Sequence, residues 1–483
     1  MMPDARNKYE AVIGLEVHVQ LLTHSKLFSA DDVKFGAEPN TQVSAITLAH
    51  PGTLPRLNKK AVELAVRLGL VCDCAINEYN TFARKHYLYP DLPKGYQVTQ
   101  HLHPVCTGGH VTIKVDGEEK QVAIHHIHLE EDAGKSIHDL DENYSFLDYN
   151  RAGTALVEIV TEPAMHSAEE AFQFVSELRR LVRWMEICDG NMEEGSLRCD
   201  ANVSIRLRGD TGLGTKVEVK NLNSIRSVKR AIEFEIDRLV DLKERHEPII
   251  QQTRSFDAQT ETTFSIRDKE DAKDYRYMPE PDVAPFFVTQ DTIEKIRKTL
   301  PLTPHGTEKK LQEDYGLSQY DAGQIAADRM TADYFFEVAA MTPHFKAVAN
   351  WINGPLKKYP QDEREGPGSI VDARRLSELI ELVAAEKVNF SSASSRIFPV
   401  LVEDKNSQPL LIAQEMNLLQ TRDDSELEAW VDAVITRMPE KVQEYKKGKK
   451  GLLGLFVGEI KKMSKGKADP AAVTRLLQQK LES

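Results

Sequence analysis

Residues 125–135, HHIHLEEDAGK, place three histidines and three acids within eight consecutive positions. Such a run can ligate a cation, serve acid/base chemistry or end a solvated strand. Side chains alternate along a strand, so His126, His128 and Glu130 share one face while Ile127, Leu129 and Glu131 share the other. Neither face alone closes a metal cage. The chemistry depends on which other strands bring ligands, with the acids expected to contribute and His125, His126 and His128 expected to be bystanders.

Two other stretches can supply ligands. GLEVHVQL points Glu16, His18 and Gln20 to one face, and a carboxylate and an imidazole two residues apart on a rigid strand can hold one cation. The same pair also suits the polar outer face of an antiparallel sheet. ALVEIVTEP puts Glu158 on a face with Leu156 and Val160, where an acid is costly to bury unless it is paired or metal-bound. Together Glu16, His18, Glu130 or Glu131, and Glu158 make an oxygen-rich site with one histidine, which suits Mg²⁺ or Mn²⁺ better than zinc. Such an ion suggests a phosphate-bearing substrate.

If ATP binds, the usual phosphate cradle is missing. GDTGLGTK, residues 209–216, has the glycine spacing but ends in Thr-Lys and lies between two strand patterns, which reads as a hairpin. Side chains can replace the loop. GSLRCDANVSIR lines up Arg198, Asp200 and Asn202, and KVEVKNLNS lines up Lys216, Glu218 and Lys220. Such faces of cation, acid and amide can grip phosphates and metal, or simply meet solvent. In FARKHYLYPDLPKGYQVTQ, Arg84, Lys85 and Lys94 interleave with Tyr87, Tyr89 and Tyr96. That mixture can hold an RNA end, or the prolines and tyrosines can serve only to order a long loop.

These residues need elements to position them. AVIGLEVHVQL, HVTIKV, VAIHHIHLEE, ALVEIVTE, ANVSIRLR and KVEVKN carry strand patterns, most with apolar/polar alternation. Two helical patterns interrupt them. One opens at Ser167 with Glu170 three places on, a capping box, and the other has Asn223 or Ser224 as its cap. Without strict βαβ rotation, the pattern predicts an α+β domain with a largely antiparallel sheet over residues 1–293. Residues 294–407 read as a helical domain, and 408–483 as a small helical tail.

The tail is basic. Residues 440–467 hold nine lysines, Lys441, Lys446, Lys447, Lys449, Lys450, Lys461, Lys462, Lys465 and Lys467, against three glutamates, a balance of +6 in a chain of net charge -13. Leu452, Phe456, Ile460 and Met463 recur at helical spacing there and are expected to face a core. Five cysteines, without zinc-finger spacing, suit a reducing compartment. No apolar run is long enough to span a bilayer and no secretion signal is visible, so the expected address is cytoplasmic.

The motifs GLEVHVQL, ARKHYLYPDLPKGYQ, HLEEDAGKS, LVEIVTEP, GSLRCDANVSIR, KNLNS and DYRYMPEPD, in order, resemble those of the B subunits of bacterial tRNA-dependent amidotransferases, the GatB family. The resemblance runs from about residue 8 into KKGLLGLFVGEIKKMSKGKADP, which is similar to that family's YqeY-like tail. It implies a cradle fold similar to the glutamine synthetase and guanidino kinase superfamily. It also implies ATP- and Mg²⁺-dependent phosphorylation, Mn²⁺ being able to substitute, of the side-chain carboxylate on Glu-tRNA(Gln) or Asp-tRNA(Asn), followed by amidation with ammonia. The implied partners are an amidase-type glutaminase subunit that makes the ammonia, a small third subunit that ties the two together, misacylated tRNA and, transiently, a glutamyl- or aspartyl-tRNA synthetase.

By the same carry-over, Glu16, His18, Glu130, Glu131 and Glu158 match the active-site positions, the last four as metal candidates. Arg198, Asp200, Asn202, Lys216, Glu218 and Lys220 would meet the nucleotide. Lys85, Tyr87, Lys94 and Tyr96 would meet the tRNA end, and Lys446, Lys447, Lys449, Lys450, Lys461 and Lys462 its body. Some members carry cysteine pairs ahead of the PGxLP motif; this chain reads LAHPGTLP, so no zinc is expected. A pure tRNA-binding scaffold has no reason to hold Glu158 between Leu156 and Val160, and a free-standing small-molecule ligase leaves the lysine-rich tail unexplained.

Overall fold

The structure is a computed structural model that describes residues 6–138, 140–268, 275–360, 366–420, 424–464 and 468–482. The chain forms two units, Met1–Thr303 and Pro304–Ser483.

The first unit is built on a sheet of thirteen strands among the described residues. Those that shape the site are β1 (Tyr9–Gln20), β2 (Ala83–His86), β3 (Tyr96–Thr99), β4 (His110–Val115), β5 (Glu118–Glu131), β6 (Ala155–Thr161), β7 (Leu197–Leu207), β8 (Val217–Lys220), β9 (Gln252–Asp257), β10 (Thr262–Asp268) and β11 (Met278–Pro279). They lie in the order β10-β9-β8-β7-β1-β6-β5-β3-β2-β11, with β4 paired to β5. Neighbours run antiparallel except β8 and β9. Residues 209–216 join the antiparallel neighbours β7 and β8, so GDTGLGTK is a hairpin connection.

Alternation decides what each face carries. Val17, Val19, Leu129, Val157, Ile159 and Ala201 are fully buried on one face of the central strands. Helices α1 (Lys59–Val71), α2 (Ala168–Trp184) and α3 (Ile225–Glu244) pack on the sheet, α1 on β5 and β6, α2 on β4, and α3 on β7. Their own apolar stripes, such as Phe174, Val175 and Leu178 on α2 and Ile232, Ile236 and Leu239 on α3, are buried. The two helices read from the sequence, α2 and α3, begin where their caps predict. The Ser167 hydroxyl accepts from Glu170 N at 3.1 Å, and Glu170 accepts from His166 N at 2.7 Å, one residue ahead of the cap. Ser224, not Asn223, caps α3, accepting from Ser227 N at 3.0 Å. A further helix, α4 (Gln290–Thr299), packs on α1 and closes the unit.

The second unit is helical throughout its described residues, from Pro304–Glu313 to Pro470–Glu482. Its last part has a core of its own, in which Leu427, Val431, Tyr445, Phe456, Ile460, Leu477 and Leu481 cluster. Phe456 and Ile460 face inward as the spacing predicts and Leu452 packs on the cluster's edge. Met463 does not: it closes the helix Leu453–Met463 and is 38% exposed, because the core contact ends one turn earlier.

Candidate active site

Strand register brings the charged residues into one row. On the face away from Val17 and Val157, His18 of β1 stands opposite Glu158 of β6 and Arg198 of β7, and Glu158 stands opposite His128 of β5. Glu130 lies one alternation further along β5, opposite Leu156. The His18 Nε2 atom sits 3.3 Å from a Glu158 oxygen and 3.4 Å from Glu130, and His128 Nε2 sits 3.5 Å and 3.6 Å from the same two acids. Two acids and two imidazoles thus meet at the centre of the sheet.

Burial sharpens their electrostatics. It opposes a charge on His18, but the hydrogen bond to Glu158 and the charges of Glu158 and Glu130 outweigh it and raise the imidazole to about 9. Burial alone would raise Glu158; its hydrogen bond to His18 and the charges of His18, His128 and Lys85 pull it well below the usual carboxylate range. Paired this way, a proton holds the space that a cation could take. One donor atom from each of His18, Glu130 and Glu158 lies within 4.8 Å of the others, and one imidazole with two carboxylates fits Mg²⁺ or Mn²⁺.

The neighbouring strands add a second group. Glu16, Asp200 and Glu218 converge, and Lys220 Nζ lies among them, 3.0 Å from Glu218 and bonded to Asp200. Burial opposes the Lys220 charge, but these acids raise its pKa. The Asn202 amide donates to Glu16 at 2.9 Å, which partly offsets the upward push of burial and of Glu158 on Glu16. Arg198 donates to Asp132 at 3.0 Å. Lys216 is exposed just before β8 and lies outside this group.

On the other flank, Lys85 from β2 reaches toward the acids. A cavity of about 240 Å³ is lined by His18, Lys85, Tyr87, Glu130, Glu158 and Arg198. Lys85 Nζ lies 4.9 Å from the centre of the Tyr275 ring and makes no carboxylate contact within 4.0 Å among the described residues. Tyr87, Tyr275 and Tyr277 form a chain of rings at 6.1 and 6.3 Å.

Three residues expected here point elsewhere. Glu131 follows Glu130 on the same strand and so faces the opposite side, where it bonds Lys94 Nζ at 2.5 Å and accepts from Val98 N at 2.8 Å. Lys94 and Tyr96 line a separate cavity of about 230 Å³ with Glu131 and the buried Lys26. Conversely, His128, expected to be a bystander, meets both acids because β6 sets Glu158 opposite it, and Tyr275 and Tyr277, which the sequence reading does not single out, lie beside Lys85. The alternation that joins His128 to Glu130 is the available signal for the first; the tyrosines, in DYRYMPEPD, have none beyond their motif.

In the second unit, Lys446, Lys447, Lys449, Lys450, Lys461 and Lys462 are all exposed. Lys449 pairs with Glu444 at 3.0 Å and Lys462 with Glu459 at 2.9 Å. Lys465 and Lys467 lie outside the described residues.

Residues 11–294 match the family model of the GatB/GatE catalytic domain, and residues 333–481 match the GatB domain. The chain belongs to the GatB family. A member from Thermodesulfovibrio yellowstonii, named as the B subunit of an aspartyl/glutamyl-tRNA(Asn/Gln) amidotransferase, is 45% identical, covering 97% of this chain and 98% of its own. GatB proteins of the same name from a Synechococcus strain and from Bdellovibrio bacteriovorus are each 43% identical, covering 99% and 98% of this chain and 99% of their own. As a GatB-family chain it carries no helix, among the described residues, long and apolar enough to cross a membrane.

Proposed function

We infer that the chain is the B subunit of a heterotrimeric tRNA-dependent amidotransferase acting in the cytoplasm. It phosphorylates the side-chain carboxylate of Glu-tRNA(Gln), Asp-tRNA(Asn) or both, and then amidates it. The convergence of His18, Glu130 and Glu158, with cations on either flank, carries this reading.

A carboxylate is a poor electrophile because its leaving group would be oxide. Transfer of the γ-phosphoryl group of ATP to a carboxylate oxygen converts that oxygen into part of a phosphate. Ammonia then attacks the carbonyl carbon, the carbon–oxygen bond to phosphate breaks, and one ammonia proton leaves with the phosphate. His18, Glu130 and Glu158 would hold Mg²⁺ or Mn²⁺, which would offset negative charge on the transferred group. Arg198 and Lys220 supply positive charge on one flank for the nucleotide phosphates, and Lys85 on the other attracts the substrate carboxylate. Asn202 orients Glu16 beside them. Charged side chains on an open sheet thereby replace a phosphate-binding loop, as in the glutamine synthetase and guanidino kinase superfamily whose cradle this sheet would share.

The ammonia comes from an amidase-type glutaminase subunit, tethered by a small third subunit, with a glutamyl- or aspartyl-tRNA synthetase as a transient partner. In this reading the chain has a cradle at 1–293, a helical domain at 294–407 and a YqeY-like tail at 408–483. Co-purification with the glutaminase and tethering subunits, followed by ATP-dependent amidation of both misacylated tRNAs, tests it. Absence of amidation on both tRNAs overturns it.

A further inference from the structure

The two flanks of the ion cluster differ in kind. Toward β7 and β8 the face is alternately charged, with Arg198, Asp200, Glu218 and Lys220. Toward β2 and β11 it is aromatic. Tyr277 stacks flat on His101, with ring centres 3.9 Å apart and planes at 4°. Tyr275 stands edge-on to Tyr277 at 6.3 Å and covers the Lys85 ammonium. Lys85 in turn feels the charges of Glu130 and Glu158, so the ammonium bridges from the rings to the acids.

These rings are held in place, not merely exposed. His86 N donates to the Tyr275 carbonyl at 2.9 Å, the His86 ring bonds the Arg276 carbonyl at 2.9 Å, and Met278 pairs with Arg84. Arg276, between the two tyrosines, has φ +43°, a conformation that a non-glycine residue keeps only where its surroundings enforce it. Yet the stacked pair remains open to solvent: His101 is exposed and Tyr277 is 36% exposed. Tyr89, 57% exposed, extends the aromatic strip through Tyr87 at 5.9 Å. An anchored stack of rings beside a cation, open on one side, suits an unpaired base.

We propose that the His101–Tyr277 stack, with Tyr275 beside it, receives the terminal base of the aminoacylated RNA and sets the attached carboxylate at Lys85 and the ion cluster. The assignment rests on the amidotransferase reading above. RNA is favoured over the base of ATP because the cations suited to ATP phosphates, Arg198 and Lys220, lie on the opposite flank. An RNA end also offers a second base for the strip that continues to Tyr89. Stacking is blind to the amino acid, so the wall positions both possible substrates alike.

The test uses the full chain assembled with the glutaminase and tethering subunits. A misacylated tRNA whose terminal adenine is replaced by 2-aminopurine should lose fluorescence on binding, because stacking quenches that base. Tyr277→Ala and His101→Ala should each restore the fluorescence and raise KM for aminoacyl-tRNA about 5- to 100-fold, the effect of losing one stacked base. KM for ATP should stay unchanged, and Tyr277→Phe, which keeps the ring, should keep the quenching that Tyr277→Ala loses. Quenching that persists in both alanine variants overturns the proposal, as does a rise in KM for ATP without one for tRNA, which would give the rings to the nucleotide. His101 is exposed, so its variant serves if Tyr277→Ala fails to fold. Failure of the amidotransferase reading shows separately, as absent amidation by the wild-type complex.

Discussion

Glu130 and Glu131 are consecutive residues that serve opposite sides of one sheet. Glu130 lies 3.4 Å from His18, and Glu131 is bonded to Lys94 behind it. The pair therefore separates two roles that a sequence motif runs together. Glu130→Gln should abolish Mn²⁺ binding by the full chain, because it removes one of two carboxylates from the cluster. Glu131→Gln should retain Mn²⁺ binding but lower the thermal midpoint, since it leaves the Lys94 charge without its buried partner. Calorimetric titration with Mn²⁺ and a melting curve on each variant decide it. Loss of Mn²⁺ binding in Glu131→Gln would return that acid to the ion site.

Glu158 offers a sharper test of what the cluster does. Its carboxylate meets His18 at 3.3 Å and His128 at 3.5 Å, at the centre of the charged cluster. Glu158→Gln should lower the amidation rate by about 10²-fold or more while leaving tRNA affinity nearly intact, the pattern of an interaction used in phosphoryl transfer. Glutamine hydrolysis by the partner glutaminase should survive at least in part. A variant that loses tRNA affinity yet keeps its rate at saturating tRNA would show that the acid docks the substrate instead.

The legibility of this site in the sequence followed from period 2. Alternation alone predicts that Glu16 and His18 share a face, that Glu130 and Glu131 do not, and that Glu158 shares its face with Leu156 and Val160 of its own strand; all three relationships are in the structure, though the strands on either side set His18 and His128 against Glu158. Which faces meet was not legible, because strand order is a long-range property. Nothing local says that β6 lies between β1 and β5, and only that adjacency puts His128 against Glu158. The same limit applied to FARKHYLYPDLPKGYQVTQ, whose Lys85 and Lys94 read as one basic loop. β2 and β3 pair across it, sending Lys85 to one cavity and Lys94 to another.

The His18–Glu158 pair also sets a pH dependence for the metal-free chain. The folded-state value for His18 is raised from 6.5 to about 9, so the folded protein holds this proton more tightly than the unfolded chain. Its contribution to stability is fully present below 6.5 and is lost as pH rises through about 9. Glu158 acts in the opposite direction: its lowered value contributes above 4.5 and is lost as pH falls below that. In the presence of a chelator, the thermal midpoint should therefore decline between pH 6.5 and 9, and His18→Gln should flatten that decline. Identical slopes in wild type and variant would assign the loss to other groups.

The basic tail makes the last prediction. Phe456 and Ile460 take the apolar side of the helix Leu453–Met463 into the core, which leaves Lys461 and Lys462 on its exposed side. Lys446, Lys447, Lys449 and Lys450 lie just ahead of that helix and are exposed as well. Within an acidic protein this cluster is a local attractor for a polyanion, though the acids beside Lys449 and Lys462 reduce their share. Each lysine that meets a tRNA phosphate should contribute about -0.9 to the slope of log affinity against log salt, with the duplex DNA value as a guide. Replacing Lys446, Lys447 and Lys461 by Gln should thus weaken tRNA binding and flatten that slope by about two to three. Such contacts read charge and shape, so the ratio of activities on Glu-tRNA(Gln) and Asp-tRNA(Asn) should not change. These substitutions spare the core of Tyr445, Phe456 and Ile460, so they alter charge without removing the fold that carries it. An unchanged salt slope in the triple variant would show that the tail does not touch tRNA.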